Sequence, residues 1–284
     1  MALTVSLGEG GTPLVPAPRL SERLGCDVWL KWEGANPTGS FKDRGMAVAV
    51  SRAVERGAPG VVCASTGNTA ASAAAYAARA GLPAVIVLPA GAVARGKLAQ
   101  AVAAGAELRE VDGSFEDAHM LARRLAEVEG WVNVNSINPD RIEGQASAAR
   151  EIAEQLGGVP DAVALPYGGG GNTCAYARGF AEIGGAMPRL LAVQPADRAG
   201  TFASAIRIAD PVHRERAESV AEVVTAAEDE IAEWWRAVAQ TEGLFCEPAS
   251  AASLAGVARV RPEGRVVCVL TGTGLKDPDA VERL

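Results

Sequence analysis

Val61-Val62-Cys63-Ala64-Ser65-Thr66-Gly67-Asn68-Thr69-Ala70-Ala71-Ser72 is the stretch on which the fold turns. Its four opening apolar residues read as a short strand covered on both faces. Hydroxyl residues and a glycine interrupt the run, and the alanine-rich stretch 70–80 has helix-forming composition. The same alternation extends in both directions. Apolar runs at 28–32, 84–88, 108–111, 131–134, 162–165, 190–194 and 266–270 read as strands. Helix-like stretches at 46–54, 97–104 and 115–129, and one ending near residue 180, lie among them. Glycine or proline marks nearly every junction. This pattern predicts an α/β protein with mostly parallel sheets flanked by helices. Two sheets are expected: one set of units spans about 45–135, another follows 141, and the strand at 28–32 joins the second. The expected domains are residues 1–44 with 138–284, the larger, and 45–137, the smaller. Ligands of such folds sit at the carboxyl ends of strands.

With 284 residues, 49% of them hydrophobic, the chain can bury a large core. Only 5% are aromatic, and the abundance of alanine, glycine and valine suits helices packed closely on a sheet. A formal net charge of −7 argues against nucleic acid or an anionic membrane as the main partner. No apolar run reaches spanning length, and the N-terminus has no basic region leading into an apolar one, so a cytoplasmic protein is expected. The cysteines, Cys26, Cys63, Cys174, Cys246 and Cys268, are odd in number and show neither CxxC nor metal-ligand spacing. They read as reduced, mostly buried thiols. His119 and His213 lie in charged, helix-like segments without spaced partners, so neither a histidine metal site nor a Ser-His-Asp hydrolase is expected.

Four segments carry chemistry. Gly39-Ser40-Phe41-Lys42-Asp43-Arg44-Gly45 places a lysine at a loop-to-helix junction. The positive end of a helix disfavours an ammonium there and frees the amine for Schiff-base chemistry with a carbonyl. Taken alone, the segment also reads as a surface lysine in a charged turn. Residues 65–72 open a helix with hydroxyls and free amides suited to a carboxylate or phosphate, or with ordinary capping residues. Gly168-Gly169-Gly170-Gly171-Asn172 follows the strand at 162–165. Successive glycines let backbone N–H groups wrap an anion, although a flexible turn remains open. Threonine at 173 argues against a dinucleotide fingerprint, and no Lys-Ser/Thr pair completes a nucleotide-triphosphate loop. Thr271-Gly272-Thr273-Gly274 places hydroxyls at the end of the last strand.

Together these segments resemble the pyridoxal-phosphate enzymes of the tryptophan-synthase-β group, and within it the threonine synthases. The resemblance runs from Gly8-Glu9-Gly10-Gly11-Thr12-Pro13-Leu14 to Gly274-Leu275-Lys276-Asp277-Pro278. Asn135-Ser136-Ile137-Asn138-Pro139 with Arg141-Ile142-Glu143-Gly144-Gln145 separates it from serine/threonine dehydratases and cysteine synthases. Two positions depart from the family pattern: Gly169 stands where an asparagine is usual, and Thr273 where a histidine is common. The region around residues 198–201 is also shorter.

The resemblance implies a two-domain fold type II enzyme that uses pyridoxal 5'-phosphate, forms a homodimer and needs no metal. It implies that Lys42 carries the cofactor, that Asn68 bonds its ring hydroxyl, and that Gly168, Gly169, Gly170, Gly171 and Asn172 hold its phosphate. Thr271 would face the pyridine nitrogen. Ser65, Thr66 and Thr69 would hold the substrate near its carboxylate. Asn135, Ser136 and Arg141, with Thr69, would hold the substrate's own phosphate, and Glu247 would lie near the cofactor ring. The implied reaction converts O-phospho-L-homoserine and water to L-threonine and phosphate, by γ-elimination and β-hydration. Two alternatives stay open: an enzyme for a related amino acid or a serine/threonine dehydratase, and a catalytically silent, cofactor-binding regulatory homologue.

Overall fold

Ten strands fall into two sheets in the computed structural model, which describes residues 4–91 and 98–283. The larger sheet comprises β1 (Leu14–Pro16), β2 (Asp27–Trp32), β7 (Ala162–Pro166), β8 (Arg189–Pro195), β9 (Glu222–Ala226) and β10 (Arg265–Leu270). The smaller comprises β3 (Val61–Ala64), β4 (Ala84–Pro89), β5 (Glu107–Val111) and β6 (Val132–Asn133). Each sheet is the core of one compact unit. One unit holds residues 4–9, 36–38 and 42–144; the other holds 10–35, 39–41 and 145–283.

The smaller sheet is wholly parallel, in the order β5-β4-β3-β6. Its strands show why continuous apolar runs mean burial on both faces. Val61 and Cys63 pack with α2 (Lys42–Glu55) and α3 (Asn68–Ala80). Val62 and Ala64 pack on the opposite side with Ala118, Ala122 and Leu125 of α5 (Phe115–Glu129). The period of two sends alternate side chains to opposite faces. The short α4 (Ala99–Ala103) replaces the expected helix over 97–104, whose first residue lies outside the described residues. The helix α6 (Pro139–Gln145) closes this unit. It crosses α2 backbone to backbone: a Cβ on Gly144 would lie 2.1 Å from the Arg44 carbonyl oxygen, and one on Gly45 would lie 2.6 Å from that of Arg141. That contact, and the start of α2 at Lys42, extend the unit to 42–144 where the sequence suggests 45–137.

The larger sheet runs β1-β2-β10-β7-β8-β9 and is parallel except for the antiparallel pair β1 and β2. On one face Ala162, Ala164, Val266 and Cys268 pack with α1 (Pro18–Leu24), α10 (Glu228–Ala237) and α11 (Pro248–Val260). On the other, Val163, Leu165, Val267 and Val269 pack with α7 (Ser147–Leu156) and α8 (Gly171–Ile183). A short α-helix, α9 (Arg214–Glu218), precedes β9. The sequence reading misses β1 and β9. Both are edge strands: prolines flank or end β1, which an edge tolerates, and β9 exposes three of its five residues.

Candidate active site

Lys42 is the first residue of α2 and is half-buried. The residues on each side of it are fixed. Phe41 donates its N–H to the Thr271 carbonyl at 3.0 Å within the larger unit. Asp43 is fully buried in the smaller unit. Its Oδ2 accepts the Thr38 N–H, and its Oδ1 accepts the hydroxyls of Thr38 and Ser72, each at 2.6 Å. This carboxylate ties the loop before Lys42 to the middle of α3. The other lysines differ. Lys31 is buried and donates to the Thr12 carbonyl, Glu151 Oε2 and Gln155 Oε1 at 2.8–2.9 Å, which occupies all three ammonium protons. Lys276 lies in a short 3₁₀ helix of the larger unit, and Lys97 lies outside the described residues.

At the carboxyl end of β3, residues 65–69 are all half-buried. The N-cap of α3 is Gly67, and no side chain caps the helix. The capping reading of these hydroxyls is therefore not realised: Ser65 Oγ accepts from the Gly67 N–H, before the helix begins. Thr66, Asn68 and Thr69 sit around a helix start that lacks a side-chain acceptor, a ready site for a carboxylate.

Beside this strand end, the Asn135 amide accepts from the Ala64 N–H at 2.9 Å and donates to the Ala64 carbonyl at 2.8 Å. It acts as an extra rung of the sheet, which leaves the half-buried Ser136 next to it. Only 1% of Arg141 is exposed, because the close crossing of α2 and α6 draws it inward. Its Nη1 donates to the Val134 carbonyl at 2.7 Å, and its Nε is buried without a partner. Burial pulls its pKa down to about 10, against the opposing pull of Cys63 and Asp43. Burial likewise pushes the Cys63 thiol up to about 12, although Arg141 acts to lower it. A dehydrated guanidinium with an unused donor suits a phosphate. Arg52 anchors α6 through Asp140 and Glu143, which sets where Arg141 stands.

In the larger unit, Gly168–Asn172 joins β7 to α8. Gly170 is the N-cap of α8, with φ of 85°, a conformation that favours glycine, and no side chain caps this helix either. Asn172, only 8% exposed, has both amide atoms buried without partners, as is the Thr173 hydroxyl. Free amides, absent Cβ atoms and unsatisfied buried polar groups fit an anion bearing several acceptor oxygens. A pyridoxal phosphate group is of that kind. Thr271, at the end of β10, is buried. Its Oγ1 lies 2.8 Å from Glu247 Oε1, to which it donates, and 3.1 Å from Ser250 Oγ. A Cβ on Gly272 would lie 2.8 Å from the Glu247 carboxylate, which packs directly on this turn. The hydroxyl proton of Thr271 is thus committed to Glu247, and Thr271 turns a lone pair to other partners.

Asp43, Ser72 and Ser250 are missed by sequence reasoning, although each sits in or beside a quoted motif; their spacing gives no sign that they meet. Among the described residues no cluster of three or more His, Cys, Asp or Glu side chains is placed to hold a metal ion. Nor is any helix long and apolar enough to cross a membrane.

The family model described as "Pyridoxal-phosphate dependent enzyme" matches residues 5–272. A threonine synthase of Synechocystis sp. is 49% identical over 97% of this chain and 79% of its own length. One of Bacillus sp. is 48% identical over 97% of this chain and 86% of its own. Among solved structures, maize serine racemase superposes with a TM-score of 0.85 at 23% identity, covering 96% of this chain and 91% of that one. That likeness concerns the fold. A match across nearly the whole chain leads to one conclusion: the chain belongs to the pyridoxal-phosphate-dependent enzyme family, among its threonine synthases.

Proposed function

We propose that this chain is a pyridoxal-phosphate-dependent lyase that converts O-phospho-L-homoserine and water to L-threonine and phosphate. The observation that carries this reading is the 45–49% identity to threonine synthases over 97–98% of the chain. When bound, the cofactor supplies an electron sink for charge that develops beside the substrate's amino group. The chain's own residues do the rest. Lys42 would carry the cofactor, and its free amine would take the proton from the substrate Cα and then from Cβ. Gly168, Gly169, Gly170, Gly171 and Asn172 seat the cofactor phosphate, Asn68 bonds the ring hydroxyl, and Thr271 with Glu247 serves the ring nitrogen. Ser65, Thr66 and Thr69, at the uncapped start of α3, bind the substrate carboxylate. Ser136 and Arg141 bind the substrate phosphate and stabilise it as it leaves Cγ. Asn135 holds the strand end beside them. We read the active form as a cytoplasmic homodimer, a state that sedimentation of the purified protein tests.

The deciding experiment incubates the cofactor-loaded protein with O-phospho-L-homoserine and measures phosphate and threonine together. Equal amounts of both are expected. Parallel incubations with serine and threonine, assayed for ammonia, test the dehydratase reading. Ammonia release without phosphate would replace the proposal with that reading. No turnover on any substrate, with the cofactor bound, would mean a silent homologue.

A further inference from the structure

The glycine loop is covered by the segment that follows β8. Arg198 stands in that segment, half-buried, and its guanidinium is held by neutral groups alone. Nε donates to Gln194 Oε1 at 2.8 Å. Nη1 donates to the carbonyls of Ile208 at 3.0 Å and Gly168 at 3.4 Å, and the guanidinium lies 4.4 Å from the Tyr167 ring centre. Nη2 is buried without a partner. Among the described residues no carboxylate pairs with this charge. Glu218, whose field reaches Arg198, accepts the Tyr167 hydroxyl at 3.1 Å. Asp197 takes the N–H groups of Ala199 and Gly200 at 2.9 Å. Arg214, a second cation near Arg198, pairs with Asp210 at 3.0 Å. Burial accordingly lowers the Arg198 pKa. A guanidinium withdrawn from water needs a counter-charge.

We propose that Arg198 supplies the positive charge of the anion cup at the start of α8, and that the phosphate group of the bound cofactor is its counter-charge. The proposal rests on the reading that Gly168–Asn172 seats that phosphate. In a trans peptide the carbonyl and the next residue's N–H point in opposite directions. Arg198 holds the Gly168 carbonyl, so the Gly169 N–H is turned away from the guanidinium. The His213 N–H holds the Gly169 carbonyl at 3.0 Å and turns the Gly170 N–H away in the same manner. A cation on a carbonyl also polarises the peptide and strengthens its N–H as a donor. Arg198 is thus a positioning residue, acting through the Gly168–Gly169 peptide and by its field. An independent sign of a ligand lies in the first turn of α8. Both amide atoms of Asn172 and the hydroxyl of Thr173 are buried without partners, on residues more than nine-tenths buried. The glycines bring no side-chain charge. Arg214 and Arg216 are exposed, so water and salt screen them. The charge that favours a dianion at this loop falls to Arg198.

The test compares dissociation constants of pyridoxal phosphate and of pyridoxal, which lacks the phosphate, for cofactor-stripped protein. Arg198→Gln keeps an N–H for the carbonyls and removes the charge. It should weaken pyridoxal phosphate binding about tenfold or more while changing pyridoxal binding less than about twofold. Arg198→Lys, which restores the charge, should recover part of the loss. Gln194→Glu leaves Arg198 in place and sets a carboxylate against its Nε, so the outcome does not depend on Arg198→Gln folding. That pairing should weaken pyridoxal phosphate about threefold or more, again with pyridoxal little changed. Phosphorus NMR of the bound cofactor adds a readout that a purely structural role would not move. In Arg198→Gln and Gln194→Glu the cofactor phosphate should take up its proton at higher pH than in the parent, because a nearby cation has been removed or neutralised. An unchanged ratio of the two dissociation constants, equal weakening of both ligands, or an unchanged phosphate titration overturns the proposal. Gly170→Val separates the two levels of inference. If Gly170→Val weakens pyridoxal phosphate and the variants at 198 and 194 do not, only the Arg198 assignment falls. If none does, the loop assignment falls with it.

Discussion

Asp43→Asn tests how Lys42 is held in place. The two carboxylate oxygens have separate duties: Oδ1 takes the hydroxyls of Thr38 and Ser72, and Oδ2 takes the Thr38 N–H. An asparagine oxygen in the Oδ1 position can still accept both hydroxyls. The amide nitrogen in the Oδ2 position cannot accept, so it sets one donor against another in a fully buried place. The unsatisfied N–H costs about 1–3 kcal/mol, and the two surviving bonds lose their charge assistance, so a total near 3 kcal/mol is expected. With an unfolding entropy of about 2.1 cal/mol/K per residue, that lowers Tm by roughly 5 °C in a chain of 284 residues. Lys42 should shift with the loop, and kcat should fall at least about tenfold, since a displacement of about 1 Å is enough for such a loss. Cofactor phosphate binding, assigned to a loop far along the chain, should stay within about twofold. Ser72→Ala removes one bond and should cost about 1 kcal/mol. In the double variant the two losses should not add. Calorimetry and steady-state kinetics on the same preparations decide the matter. Asp43→Asn with unchanged Tm and kcat would refute the claim that this carboxylate positions Lys42.

Gly144→Ala should destabilise the protein by about 3 kcal/mol, because its Cβ would meet the Arg44 carbonyl oxygen at 2.1 Å; Gly158→Ala, with open space around it, should shift Tm little. In native protein Cys26, the half-buried cysteine, should react first with a thiol reagent. Cys63 and Cys246, whose thiols burial pushes up to about 12, should react only on unfolding, as read by Ellman kinetics and mass mapping. Arg141→Ala should lower kcat/KM for O-phospho-L-homoserine at least about tenfold and also lower Tm, since the Val134 carbonyl loses its donor; Arg141→Lys should recover part of the activity. Equal activity of parent and Arg141→Ala would remove the substrate-phosphate role. Borohydride reduction of the loaded protein followed by peptide mapping should place the adduct on Lys42, and an adduct on Lys31 would contradict the saturated contacts seen there.

The strands that carry the motifs were legible because they are central. A strand covered on both faces must be apolar throughout, so β3, β4, β7 and β10 stand out from their surroundings as uninterrupted runs. Edge strands lack that constraint. Prolines at β1 read as chain breakers, and the charged and polar residues of β9 read as loop, because one side of each strand has no neighbour to satisfy. The helices α2 and α3 were legible from composition, but their starts were not. Asn68 opens a helix whose N-terminus carries no capping side chain, the signal by which a helix start is usually recognised.

An uncapped helix start leaves its first amides open to a ligand. A side-chain cap would fill the place where an anion binds, so a helix start kept for a ligand must leave its amides uncapped. Both α3 and α8 begin this way, at Gly67 and Gly170, and each follows the carboxyl end of a central strand. Sequence shows the glycines and hydroxyls at these points, but cannot show whether a hydroxyl turns back to cap the helix. Ser65 does not: it bonds Gly67, ahead of the helix. The same limit applies to the buried carboxylates. Asp43 and Glu247 sit in motifs chosen for other residues, Lys42 and the turn at Thr271. Their roles come from the partners that tertiary folding supplies, Ser72 from 29 positions away and Thr271 from 24. Each carboxylate claims the protons of the hydroxyls packed against it, and so decides which lone pairs those hydroxyls keep for other partners. The residue types that do chemistry can be read along the chain, whereas the direction of their hydrogen bonds is a property of the packed structure.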